Sequence, residues 1–180
     1  MSSSSTNKQP LLVDRPLHTF AILGASPCLT DPANFSSLVA GGLSPLVDCS
    51  GNDGGVVDSL SIIANQAGTT AVSVLFYVSS SPTVFGITEA NTALVASAAV
   101  QSSTAGERTN VLLPPLSVPV PNTLGAFTFD GSQVIDFDAI KKNTGLYIPA
   151  GVVLYVGISA AILAPTPLTK INVFAQGGLF

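Results

Sequence analysis

Residues 146–163 read LYIPAGVVLYVGISAAIL, eighteen positions without a charge. The run opens apolar, breaks at Pro149-Ala150-Gly151 and resumes as a longer apolar stretch. Proline fixes φ and lacks an amide donor, and glycine accepts backbone angles that other residues resist. The break therefore reads as a tight turn between two strands. Val152, Val153, Tyr155, Val156 and Ile158 are β-branched or aromatic, which suits a pleated surface. Both faces of the second run are apolar, as expected of a strand covered on both sides. A membrane helix is the competing reading, since a span needs about 20 apolar residues. Pro149, Gly151 and Gly157 oppose it.

Working outward, the neighbouring segments repeat the strand pattern. A last strand is expected over residues 170–175, followed by a tail, Gly177-Gly178-Leu179-Phe180. Upstream, residues 56–63 and 69–78 read as strands. In the second, Val72, Val74, Phe76 and Val78 alternate with Ala71, Ser73, Leu75 and Tyr77, a period of two. The Asn65-Gln66-Ala67-Gly68 segment between them suits an antiparallel hairpin. Residues 90–101 are rich in alanine, but Leu94, Ala96, Ala98 and Val100 also alternate, and we read a strand. Residues 102–108 read as a loop tip. Residues 111–120 hold Pro114, Pro115 and Pro119 and fit only an edge or irregular strand. Residues 126–129 and 133–137 flank a turn at Asp130-Gly131.

Toward the N-terminus, residues 18–23 read as a strand. Residues 24–55 read as a long irregular loop with prolines and glycines, carrying a helical turn over 34–39 capped by Asp31 or Asn34. Residues 1–9 are polar and Ser-rich, with little to bury. Residues 10–17, PLLVDRPL, are apolar and held extended by two prolines. This segment has two readings: an arm that docks on a neighbouring surface, or the domain's own first strand, since edge strands tolerate proline. Many short strands, turn signals and hardly any helical periodicity make the fold all-β: an antiparallel, jelly-roll-like β-sandwich over residues 18–180, with an extended N-terminal arm over 1–17.

Composition narrows the function. Only 9% of the 180 residues are charged, against roughly 25% in ordinary domains. A free monomer relies on charge to stay apart from its neighbours, so a chain this neutral is expected to cover its surface with partners, as obligate subunits do. The formal charge is −4, and Lys141-Lys142 is the largest basic cluster. Nucleic acid binding needs a basic footprint and is not expected. Cys28 and Cys49 are too few for a disulfide framework and read as two buried free thiols, with a single disulfide the alternative in a secreted chain. The opening MSSSSTNKQP lacks the apolar core of a secretory signal, so a cytoplasmic origin is expected.

Residue types that carry chemistry are sparse. His18 is the only histidine, and no nucleophile or carboxylate stands near it in a known pattern. Asp48, Ser50, Asn52, Asp53 and Asp58 are oxygen donors in one Gly-rich stretch, but the spacing is not that of a calcium-binding EF-hand, and turn chemistry accounts for the same residues. Two Cys and one His offer no close-spaced zinc pair. Asp136 and Asp138 share one strand face but read as a solvated strand end beside Lys141-Lys142. Asn34-Phe35-Ser36 is a glycosylation triplet without a signal peptide to support it. No catalytic residue, cofactor or metal is expected.

The C-terminal part resembles small β-rich virion proteins of tailed bacteriophages. The resemblance is carried by Leu146-Tyr147-Ile148-Pro149-Ala150-Gly151, by Leu154 and Val156 in the following strand, and by Val173-Phe174-Ala175-Gln176-Gly177-Gly178. It covers residues 56–180 and rests on pattern, not on a signature motif. It implies a jelly-roll-like subunit without catalytic residues. Such a subunit cements or decorates a capsid, or belongs to a tail, neck, fibre or baseplate. The implied partners are further copies of itself, as trimer or dimer, and a major capsid or other virion protein, with neither nucleic acid nor membrane. The implied location is the virion. A carbohydrate-binding β-sandwich is the alternative of another class, opposed by the absence of Trp. Within the arm, Pro10, Leu11, Leu12, Val13, Arg15 and Leu17 are the expected partner contacts.

Overall fold

The computed structural model describes residues 15–24, 26–31, 37–64, 72–100, 106, 108–111, 145–160 and 170–180. Among the described residues nine strands carry the fold: β1 (Arg15–Leu23), β2 (Leu43–Asp48), β3 (Gly54–Ala64), β4 (Val72–Ser79), β5 (Thr92–Val100), β6 (Arg108–Val111), β7 (Leu146–Pro149), β8 (Val153–Ile158) and β9 (Ile171–Leu179). All pairings are antiparallel. One sheet runs β1-β9-β3, with β6 and β7 both pairing with β3. β6 pairs with Leu60–Ile63 and β7 with Gly54–Val57, so two short strands complete one edge. The second sheet runs β2-β8-β4-β5. Early and late strands interleave in both sheets, and the chain passes from one to the other at nearly every connection. That is the strand order of a jelly roll. β1 lies beside β2 and β5 beside β6, so the edges of the two sheets adjoin.

The opening stretch holds its reading and gains a meaning. Its two strands do not pair with each other. β7 belongs to the first sheet and β8 to the second, so the turn at Ala150-Gly151 is a corner between sheets. Gly151 sits at φ +78°, the left-handed region that glycine enters without steric cost.

β8 is buried along its whole length because it faces two cores. Leu154, Val156 and Ile158 point between the sheets, onto Val74 and Phe76 of β4 and onto Ile62 and Val173 of the opposite sheet. Val153 and Tyr155 point the other way, into a second cluster with Cys28, Leu29, Leu43, Leu75 and Tyr77. Leu38, Val84, Ile87 and Leu94 close that cluster from outside. Residues 26–31 and 37–42 and the β4–β5 loop thus lie over the outer face of the second sheet. Each fully buried aliphatic side chain contributes about 1.5–3 kcal/mol gross relative to exposure.

Several expectations are corrected. β3 and β4 are not a hairpin, for they lie in different sheets; β4 instead pairs with β5 and β8. The region read as one irregular loop over 24–55 contains β2, a bridge between Leu29 and Leu38, and the start of β3. Of the helical turn expected over 34–39, residues 37–39 are extended or bridged, and a single 3-10 turn follows at Ala40–Gly42; residues 34–36 lie outside the described residues. The last strand runs on to Leu179, so Gly177 and Gly178 are strand residues and not a tail. Gly177 crosses β3 beside its bulge at Val57–Ser59, where a Cβ would run into the carbonyl oxygen of Val56.

β1 extends three residues further back than the strand expected over 18–23. Arg15, Pro16 and Leu17 pair with Leu179, Gly178 and Gly177. The boundary placed between an arm ending at 17 and a domain starting at 18 therefore falls inside a strand. Of the segment read over 111–120, Val111 ends β6; residues 112–120 and the segments read over 126–129 and 133–137 lie outside the described residues.

Candidate interaction surfaces

The expected partner contacts divide. Leu17 is buried in this chain's own core, at 8% exposure, and is a sandwich residue. Arg15 is exposed at the start of the edge strand β1. Pro10, Leu11, Leu12 and Val13 lie outside the described residues.

The strand registers map the outer face of the first sheet, because residues directly opposite in a ladder share a face. One row runs Ile22–Asn172–Ile63–Arg108 and the next Phe20–Phe174–Ser61–Asn110. A third runs His18–Gln176–Ser59, and a fourth Pro16–Gly178–Val56–Tyr147. The first two rows carry an apolar patch. Phe20 is 62% exposed and Ile22 50%, while Phe174 and Ile63 are half-buried beside them. The Phe20 and Phe174 rings meet at 6.2 Å between centroids, tilted by 37°. Arg108 donates from Nη2 to the Ser61 hydroxyl at 3.0 Å and so flanks the patch. At the far end, Tyr147 stacks on Phe180 at 6.3 Å.

Another exposed aromatic stands on the other side of the molecule. The β4–β5 loop, residues 80–91, lies over the outer face of the second sheet and carries a 3-10 turn at Val84–Gly86. Val84 and Ile87 point down into the second cluster, while Phe85 between them is 93% exposed. Hydrogen bonds fix the loop. Asn91 accepts from the Thr88 amide at 2.9 Å and donates to the Gly86 carbonyl at 2.9 Å. Ser81 donates from its hydroxyl to the Thr83 carbonyl at 2.8 Å. Burial holds the Tyr155 phenol above its ordinary pKa, with Asp48 adding to the effect. It therefore stays a neutral donor, and gives its proton to the Ser81 carbonyl at 2.9 Å. The sequence reading singled out neither Phe85 nor the Phe20 patch. Its only signal was a run of apolar residues whose side cannot be known before the sheets are assembled.

The residue types weighed for chemistry are placed as follows. His18 is exposed on the outer row facing Gln176, whose Oε1 accepts from the Ser59 hydroxyl at 3.3 Å. Asp48 closes an Asx turn, accepting from the Ser50 amide at 2.8 Å, and Asn52 donates to the Asp48 carbonyl at 3.4 Å. Asp58 sits apart, at the β3 bulge. Among the described residues no group of three or more His, Cys, Asp or Glu is placed to hold a metal. No helix among them is long and apolar enough to cross a membrane. Asn34, Asp136, Asp138, Lys141 and Lys142 lie outside the described residues.

Both cysteines are free and buried. Burial pushes the Cys28 thiol up to about 12, and it raises Cys49, with the neighbouring Asp48 adding to the effect. Thiols held protonated in this way are poor nucleophiles. Cys28 instead anchors the cover over β8: its amide donates to Ile158 and its carbonyl accepts from Val39, both at 2.8 Å. The close approach depends on Gly157, where an added Cβ would lie 2.6 Å from the Cys28 Cβ.

Compared with known proteins, the chain matches no family model, no curated protein and no solved structure.

Proposed function

We propose that this chain is a virion structural protein, a subunit that cements or decorates a capsid by bridging neighbouring capsid proteins. The observation that carries the reading is a jelly roll of very low charge that keeps large aromatic side chains on its surface. Jelly rolls serve capsid and lectin domains alike, and a face of this kind marks a contact surface. The mechanism is mechanical. Each contact removes apolar area from water at about 25 cal/mol per Å², part of which is lost to ordering, and repetition over a closed shell multiplies the remainder. Copies of the chain and a major capsid protein are the proposed partners, with residues 10–13 and Arg15 as contacts of the arm. No catalytic step, cofactor or metal enters. The resemblance also allows a tail, neck, fibre or baseplate subunit. Quantitative mass spectrometry of purified particles separates the two: a copy number comparable to that of the shell protein is expected of cement, and a small fixed number per particle belongs to a tail part. Glycan binding by the isolated chain, with no place in a particle, would favour a lectin-like module instead.

A further inference from the structure

We infer that copies of this chain associate head to tail, the Phe85 loop of one copy seating on the Phe20–Ile22–Phe174–Ile63 patch of the next. The inference concerns how the chain meets itself, and it stands whether or not the virion reading does.

Three observations lead to a second copy as the occupant of the patch. The first is shape. Phe85 stands 93% exposed between two anchored neighbours, Val84 and Ile87, on a loop whose backbone is tied by Asn91, Ser81 and Tyr155. An aromatic side chain presented on a fixed loop loses little freedom on docking, as the anchors of protein interfaces require. The patch offers a shallow apolar platform with two rings on it.

The second observation is charge. Glu89 is the only ionic residue in the loop over 80–91, and it is exposed four residues from Phe85. At the Ile22 end of the patch the ionic residues among those described are cations. Arg108 lies in the Ile22 row, and exposed Lys170 continues the outward positions of β9 two residues before Asn172. Seating the loop brings Glu89 toward Arg108 and Lys170.

The third is placement. The loop covers the outer face of the β2-β8-β4-β5 sheet, and the patch is on the outer face of the β1-β9-β3 sheet. The two surfaces lie on opposite sides of the sandwich, so both cannot be satisfied in a two-fold dimer. Each contact leaves one loop and one patch free, and association continues into a closed ring or an open chain.

The test uses exposed positions that leave the core untouched. Phe85→Ser removes the knob, and Phe20→Ser with Ile22→Ser removes the platform. In sedimentation at submillimolar concentration the unaltered chain should form species larger than a dimer. Either variant alone should lose them, with association weakened about thirty-fold or more. An equimolar mixture of the two variants retains one good loop and one good patch, and should give a dimer that does not grow. Glu89→Lys should weaken association, and Lys170→Glu in the same chain should restore it. An unaltered chain that remains a monomer overturns the inference. So does assembly unaffected by Phe85→Ser, which would point to patch-on-patch pairing or to another occupant of the patch. Association unaffected by Glu89→Lys overturns the seating as well.

Discussion

Tyr155, in the middle of β8, donates its phenol proton to the backbone carbonyl of Ser81 across 2.9 Å of buried space. One end of this bond lies in the strand that separates the two cores, and the other in the loop that presents Phe85. Tyr155→Phe keeps the ring and removes the donor, leaving a buried carbonyl unpaired. Such a loss costs about 1–3 kcal/mol. Thermal unfolding of the variant should shift down by several degrees, at about 2–4 °C per kcal/mol for a chain of this size. An unchanged melting temperature would mean that the bond contributes nothing to holding the loop.

The cover over β8 depends on Gly157. Gly157→Ala places a methyl group 2.6 Å from the Cys28 Cβ and 2.9 Å from the Gly42 carbonyl oxygen. The backbone around Cys28 and Gly42 must then shift, and overpacking of this kind costs about 1–3 kcal/mol. Gly24→Ala, where nothing lies within 4 Å, serves as the control and should be close to neutral. Chemical denaturation midpoints of the two variants compare them directly.

Cys28 gives a pH dependence of defined sign. Its ordinary value is 9.0 and burial raises it to about 12 in the folded chain. The unfolded chain therefore gives up this proton first. The contribution is intact below about 9 and is lost as the pH climbs from 9 toward 12. Stability should fall over that alkaline window, and less steeply in Cys28→Ala. Equal slopes for the two chains would remove Cys28 as the cause. In the folded chain at neutral pH both thiols should also resist an added thiol reagent, and react on unfolding.

Truncation separates arm from sandwich. Removing residues 1–14 should leave the folded domain and its circular dichroism intact. Removing residues 1–17 also deletes three ladder positions of β1 and the buried Leu17, whose burial alone is worth about 1.5–3 kcal/mol. The longer truncation should unfold at clearly lower denaturant. If both behave alike, Leu17 belongs to the arm after all.

How far the sequence could be read follows from what each residue's neighbours decide. β8 was legible because both faces of its run are apolar, and both prove covered. β4 and β5 were legible from alternation. β2 was not, since Pro45 and the surrounding glycines resemble a loop. Among the described residues it is an edge strand, paired only with β8, and its register shifts between Pro45 and Val47, so the proline disturbs little. The false hairpin between β3 and β4 arose because turn residues signal a reversal but not which sheet the next strand joins. The patch and the knob were illegible for a related reason. Phe20 and Ala21 are equally apolar neighbours on β1, and only the assembled sandwich sends Ala21 inward and leaves Phe20 outside.

A density map of purified virions tests the proposed role in the particle. Many copies of a two-sheet jelly roll with the β1-β9-β3 and β2-β8-β4-β5 strand orders are expected. They should sit between shell subunits, with the Phe20 patch and Phe85 buried in contacts between molecules. Particles that contain no such density, or that carry it with the patch and the knob both facing solvent, would contradict it.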